Sequence, residues 1–208
     1  MSSIDRFRLD EDDKPEKEDS PALPSKIVEE TLFKKRHVLI TGSINDKVAR
    51  ATVERLLALS ADNDAPINVF ISSPGGHVES GDMIHDTMKF ITPEIRCIGS
   101  GWVASAGALI FIAAEKKNRF CMPNTRFLIH QPSGGVGGSA TDIQIQAKQI
   151  EIMRARLNRL FSEATGQSIE RIEKDMERDY WMNTDEALAY GLLGKVVQSE
   201  AELAAATK

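Results

Sequence analysis

Gly99-Ser100-Gly101-Trp102-Val103-Ala104-Ser105-Ala106-Gly107-Ala108, with Leu-Ile-Phe-Ile-Ala-Ala after it, is the segment around which the rest of the chain is arranged. It reads as strand, tight turn, helix. Arg96 to Ile98 complete a buried strand, the glycines admit backbone angles closed to other residues, and Ser105 to Ala114 has the small, apolar content of a buried helix. Ser105 then falls at the helix start, where the first amides have no internal partner and the positive end of the helix dipole points outward. A serine there can cap the helix or attack a substrate. Ala104, Ala106, Gly107 and Ala108 leave little bulk around the hydroxyl, a clearance that a substrate backbone needs and a cap does not. The second reading requires a base and an oxyanion site.

Outward from this segment, short strands alternate with helices. His37 to Thr41 is a strand, and Asn45 or Asp46 caps a helix through about Ser60 with Val48, Val53, Leu56, Leu57 and Leu59 on a broad apolar face. Ile67 to Ile71 is a second strand, Ser72-Ser73-Pro74-Gly75-Gly76 follows, and Glu79 to Ile91 is a helix that Pro93 ends. Beyond the central segment, Arg119 to Met122 and Arg126 to His130 form a strand pair around Pro123-Asn124, and Ser133 to Gly138 is a glycine-rich ribbon. Ser139-Ala140-Thr141-Asp142 has the form of a capping box and opens a long helix to about Ala164. Its apolar residues cover more than one narrow stripe, which points to packing against another subunit as well as its own sheet. Short helices over Ser168 to about Glu177 and Asp185 to Tyr190, and a last strand over Lys195 to Gln198, complete the pattern. Such alternation indicates right-handed crossovers and an α/β fold. Before this, Ile27 to Phe33 is short and helical in character.

The 208 residues suit one domain with its own core. A content of 41% hydrophobic and 27% charged residues is that of an ordinary soluble globular protein. The net charge of -5 gives no case for nucleic-acid binding, and most of it is local: residues 1 to 20 hold eight acids and four bases. With Pro15, Pro21 and Pro24, residues 1–25 read as a disordered acidic tail, 26–200 as a single domain and 201–208 as a flexible tail. Cys97 and Cys121 lie in apolar strand-like runs and read as buried free thiols of a reducing compartment; no metal-ligand spacing involves them. The start lacks the apolar core of a secretory signal, and Trp102 to Ala114 is too short and interrupted to span a bilayer, so the expectation is a cytoplasmic protein with no membrane contact.

Four histidines are available as bases: His37, His77, His85 and His130. His130 ends the apolar strand Phe127-Leu128-Ile129 beside a glycine-rich loop, a seat from which a general base can act, and His77, after a glycine turn, is its rival. The segment Gly135-Val136-Gly137-Gly138-Ser139-Ala140 nominally fits a dinucleotide fingerprint, but His130-Gln131-Pro132-Ser133 separates it from the strand and no acid follows at the required distance. No glycine-rich run ends in Gly-Lys-Ser/Thr, so this chain has no P-loop with which to use ATP.

Taken together, Ala104-Ser105-Ala106-Gly107-Ala108, His130-Gln131-Pro132, Ser73-Pro74-Gly75-Gly76, and Arg178-Asp179 before an aromatic pair resemble the ClpP family of serine peptidases, near-continuously from about His37 to Val197. The resemblance implies a ClpP/crotonase-type superhelix of repeated β-β-α units with a protruding long helix. It implies Ser105 as nucleophile, His130 as base and Asp179 as the acid that orients it; the residues alone leave Asp175 and Glu177 equally open. It also implies an oxyanion site at the amides of Gly76 and Ala106, peptide binding along Gly134, Gly135, Val136 and Gly137, and an oligomer contact at Glu177 and Arg178. The expected protein hydrolyses unfolded proteins and peptides, needs no metal or other cofactor, forms heptameric rings stacked to a tetradecamer, and is served by an AAA+ unfoldase of the ClpX or ClpA type that uses the ATP.

Three departures stand out. Met1 to Lys35 holds no counterpart of the family's amino-terminal hairpin, which bears on docking of the ATPase. Ala106 replaces the family's usual methionine, leaving the amide intact, and Gly194 stands where an aspartate is common, which implies an altered surface contact. A non-catalytic subunit of a mixed ring, a crotonase-type acyl-CoA enzyme and a Ser/Lys signal-peptide peptidase are the competing readings; the second would want carboxylates over the oxyanion site and the third a membrane anchor.

Overall fold

The alternation of strand and helix produces a mostly parallel sheet with helices packed on it, seen in a computed structural model that describes residues 26–135 and 137–207. The expected acidic tail at 1–25, Val136 of the ribbon and Lys208 lie outside the described residues. In chain order the elements begin with α1 (Lys26–Lys34), β1 (His37–Thr41), α2 (Asp46–Asp62), β2 (Ile67–Ser73), α3 (Val78–Phe90), β3 (Ile95–Ala104) and α4 (Ala106–Phe111). A 3-10 turn at Lys116–Asn118 leads to β4 (Arg119–Cys121), β5 (Arg126–Ile129), α5 (Ala140–Thr165) and α6 (Ile169–Asp175). The chain ends with β6 (Tyr180–Met182), α7 (Thr184–Tyr190), β7 (Lys195–Val196) and α8 (Glu200–Ala206).

The strand order is β1-β2-β3-β4-β7, all parallel, with β5 parallel to the far end of β3 and β6 antiparallel to β5. Alternation along β2 shows why it is central. Ile67, Val69, Ile71 and Ser73 are fully buried, while Asn68, Phe70 and Ser72 on the other face are partly exposed. The buried face belongs to one large core that also takes in Leu56 and Leu59 of α2, Ile84 and Met88 of α3 and Leu109 to Phe111 of α4. Burying each such side chain contributes about 1.5–3 kcal/mol.

The central segment is not a strand followed by a glycine turn. β3 runs on through Gly99, Ser100 and Gly101 to Ala104, because Trp102, Val103 and Ala104 still find a hydrogen-bonding partner in β5. The glycines instead make a bulge: Ile71 pairs with Gly99 and Ser73 with Val103, so four steps of β3 face two of β2, with Gly101 at φ +64°. The bend lets Cys97 to Gly99 pair with β4 and Trp102 to Ala104 with β5. β4 and β5 are therefore not paired with each other, as the sequence reading expected, but lie in succession along one flank of β3. Thr125 fixes the step between them, its hydroxyl donating to Met122 O at 2.8 Å and Gly99 O at 3.1 Å.

The long helix α5 begins with the expected capping box, Ser139 and Asp142 each bonding the other's backbone, and ends at Gly166 in the left-handed conformation. Only its second half is buried, through Leu157, Asn158, Phe161 and Thr165, and Arg156 ties it to α3 by a paired contact with Asp82 at 2.7 and 2.6 Å. Ile143, Ile145 and Ile152 stay exposed. Cys97 and Cys121 are free and buried, and burial pushes their thiols up to about 12 and about 11. Residues expected as a flexible tail after 200 form α8 instead, with Leu203 against Ile98, Phe120 and Val197. Gly194 sits tightly against the turn that precedes β4. Its N–H donates to Arg119 O at 2.9 Å, and a Cβ there would meet Lys116 O at 2.1 Å. A Cβ is accommodated only if the backbone of Lys116 to Arg119 shifts, so Gly194→Ala is predicted to lower stability by about 2 kcal/mol, read as a fall in the denaturant midpoint at unchanged slope.

Candidate active site

Three loops meet at the carboxyl ends of β2, β3 and β5, the place where open parallel sheets bring functional groups together. Ser105 is the turn itself. It stands between the last residue of β3 and the first of α4 at φ 55°, ψ -121°, a conformation that costs a non-glycine residue about 1–3 kcal/mol and persists only where the surroundings enforce it. Here its N–H donates to Leu128 O at 2.9 Å, and its carbonyl accepts from Ala108 and Leu109 at 2.9 and 3.1 Å. The hydroxyl makes no capping bond. It points to the end of β5, where His130 Nε2 lies 2.7 Å from Ser105 Oγ.

The opposite ring nitrogen, His130 Nδ1, is 3.0 Å from Asp179 Oδ1. Strand register explains this contact. Ile129 of β5 pairs with Tyr180 of β6, so the next residue on one strand and the preceding one on the other, His130 and Asp179, face each other. The rival acids have other partners or exposure: Asp175 accepts from Arg171 at 2.5 Å and from the Tyr190 hydroxyl at 2.9 Å, and Glu177 is exposed, its backbone carbonyl accepting from Gln131 Nε2 at 2.8 Å. Glu177 and Arg178 are exposed beside Asp179, and all three line a cleft with His130, Gly134 and Ile150. Asp179 itself is 63% exposed and the His130 side chain 27%, so the site is open on its acid side.

Gly75 and Gly76 bring the end of β2 against the serine. A Cβ on Gly75 would come within 2.5 Å of Ser105 Cβ and 3.0 Å of its Oγ, and the two glycines adopt φ +99° and +148°. Gly76 bridges to Ile44, whose N–H donates to Gly75 O at 2.8 Å. Ala106, first residue of α4, has no intrahelical carbonyl for its N–H. Beside Ser105 and His130 is a small apolar recess lined by Val78, Leu109, Leu157, Phe161 and Met176. Gly134, Gly135 and Gly137 stand in open space and belong to no strand among the described residues. The rival base, His77, does not reach Ser105; it contacts Ser80, Asp46 and Glu79. Among the described residues no cluster of His, Cys, Asp or Glu fits a metal, and no helix is long and apolar enough to cross a membrane.

This geometry allows one hydroxyl to be deprotonated as it attacks, by a base whose tautomer a carboxylate fixes. Comparison with known proteins agrees with that chemistry. The family model described as Clp protease matches residues 23–200. The ATP-dependent Clp protease proteolytic subunit of Paracoccus denitrificans is 64% identical over 83% of this chain and 87% of its own length. Proteolytic subunit 2 from Pseudomonas aeruginosa is 50% identical over 95% and 98%. Among solved structures, ClpP1 from Listeria monocytogenes superposes with a TM-score of 0.78 at 48% identity, covering 85% of this chain and 99% of that one. The chain belongs to the Clp protease family, and its activity is that family's serine-type peptidase activity.

The close approach of Gly75 to Ser105 generates a prediction. Gly75→Ala should displace the serine and lower hydrolysis of a short fluorogenic peptide by about 100-fold while circular dichroism stays unchanged, since displacements of an ångström at a reacting group cost that much.

Proposed function

We propose that Ser105 is the nucleophile, His130 the general base and Asp179 the group that orients it, in a subunit that cuts unfolded polypeptides and peptides within a ring. The observation that carries this reading is the unbroken chain Ser105 Oγ, His130 Nε2, His130 Nδ1, Asp179 Oδ1 at 2.7 and 3.0 Å. Ser105 Oγ attacks the scissile carbonyl carbon as its proton passes to Nε2, and the amides of Gly76 and Ala106 receive the oxyanion, each donor worth about 3 kcal/mol. The imidazolium, held by Asp179, returns the proton to the leaving amine, and water activated by the neutral ring then hydrolyses the acyl-enzyme. The apolar recess by Ser105 suits an apolar side chain next to the cut bond. Gly134, Gly135 and Gly137, where nothing lies within 4 Å of an added Cβ, support backbone binding of an extended peptide along Gly134, Gly135, Val136 and Gly137 as an added strand.

Residues 26–200 serve as the peptidase body. Heptameric rings stacked in pairs would cover the exposed isoleucines of α5, with Glu177 and Arg178 near the ring contact. An AAA+ unfoldase of the ClpX or ClpA type supplies the ATP chemistry, the peptidase itself needing no cofactor, and the cytoplasm is its compartment. The names of the curated relatives support that ATP-dependent partnership.

Peptide hydrolysis by single variants tests the assignment. Ser105→Ala and His130→Ala should each lose activity to near background, and Asp179→Asn should lower kcat by about 10^4 with KM little changed, because the amide holds the wrong tautomer. Undiminished turnover in Ser105→Ala would refute it.

A further inference from the structure

Asp179 is the most weakly held of the three groups in the Ser105, His130, Asp179 chain. Its side chain is 63% exposed and its one hydrogen bond among the described residues is to His130, so neither packing nor a second bond fixes the carboxylate. It lies in the link 176–179 between the end of α6 and the start of β6, a stretch with no helix or strand of its own. Where the carboxylate stands is therefore decided by what holds the backbone of that link.

The link is held from β5, by the residues on either side of His130. Ile129 pairs with Tyr180, whose ring also packs against Tyr190 with 5.7 Å between centroids. Gln131 holds the other end twice: its N–H donates to Met176 O at 2.6 Å, and its side-chain Nε2 donates to Glu177 O at 2.8 Å. Only Arg178 and Asp179 lie between the two clamps, so the acid is framed against the base by the base's own neighbours. The main-chain contacts can be made by almost any residue, since every residue but proline carries both backbone groups. The side-chain contact cannot. Glu177 O accepts and needs an N–H opposite it; Asn carries the same amide on a stem one methylene shorter, a Glu carboxylate sets acceptor against acceptor, and Met fills the space without a donor.

We propose that Gln131 is a positioning residue for the acid: its side-chain amide holds the 176–179 link so that Asp179 keeps its bond to His130 Nδ1, and without that amide the carboxylate drifts and the base loses its orientation. The inference rests on the reading of Asp179 as the group that orients His130. Gln131 makes no hydrogen bond to Ser105 or to the His130 ring, and it acts through Asp179 alone. Two signatures follow. Orientation of the base matters to the chemical step and not to substrate binding, so the loss falls on kcat and spares KM. Once the carboxylate is gone the amide has nothing left to position, so the two losses do not multiply.

A double-mutant cycle tests this, with kcat and KM on a short fluorogenic peptide for the full chain, Gln131→Met, Asp179→Ala and the double variant, and circular dichroism confirming the fold. Gln131→Met should lower kcat about tenfold with KM within about twofold, less than a full ångström of displacement costs. Asp179→Ala should lower kcat by about 10^4, and adding Gln131→Met should change that residual rate by less than about twofold. Gln131→Glu, nearly the same size and unable to donate as a carboxylate, should behave alike, and it carries the cycle where the methionine disturbs folding. A further tenfold loss in the Asp179→Ala background, a loss confined to KM, or full activity in both Gln131 variants overturns the proposal and leaves the triad standing. Full turnover in Asp179→Ala would overturn the reading of the acid and this proposal with it.

Discussion

The catalytic end of the molecule depends on one hydrogen bond, from Ser105 N–H to the carbonyl of Leu128 at 2.9 Å. It is the last rung between β3 and β5, and it holds the serine in a backbone conformation that an unsupported chain would leave. Two residues after Leu128, just past the end of β5, comes His130, so the rung that enforces the turn also sets the distance between hydroxyl and imidazole. The bulge at Gly99 to Val103 is its precondition. Without the extra residues β3 would not leave β4 to meet β5, and the rung would not form.

Each further group reaches the site by the same logic of register. Asp179 faces His130 because β6 runs back along β5, and Gly75 faces Ser105 because Ser73 of β2 pairs with Val103 of β3. The polar groups are spent on position: Ser73 Oγ donates to Gly42 O at 2.7 Å and accepts from Gly75 N–H at 3.0 Å, and Gln131 N–H donates to Met176 O at 2.6 Å. Such bonds contribute about 1 kcal/mol each to stability, yet a site that must hold atoms within half an ångström depends on them for geometry.

Features with local causes were legible in the sequence. The capping box at Ser139 and the positions of β1, β2 and α2 follow from short-range chemistry, and Ser105 and His130 could be singled out from small neighbours and a strand end. Features with distant causes were not. Gly99 and Gly101 look the same in a turn and in a bulge, and only β5, which begins at Arg126, decides between them. β6 is three residues long, too short for a period to show, and without it nothing in the chain separates Asp179 from Asp175; that choice came from the resemblance to the ClpP family. The Gly194 constraint is likewise invisible until Lys116 is seen against it.

The central claim is that this geometry activates Ser105. Intact mass after treatment with a fluorophosphonate, on wild type and on Ser105→Ala, tests it most directly, because such reagents phosphonylate serines that a base and an oxyanion site have activated. The account predicts a single adduct on the wild type that is absent from the variant. No adduct on the wild type, or an adduct that survives in Ser105→Ala, would contradict it.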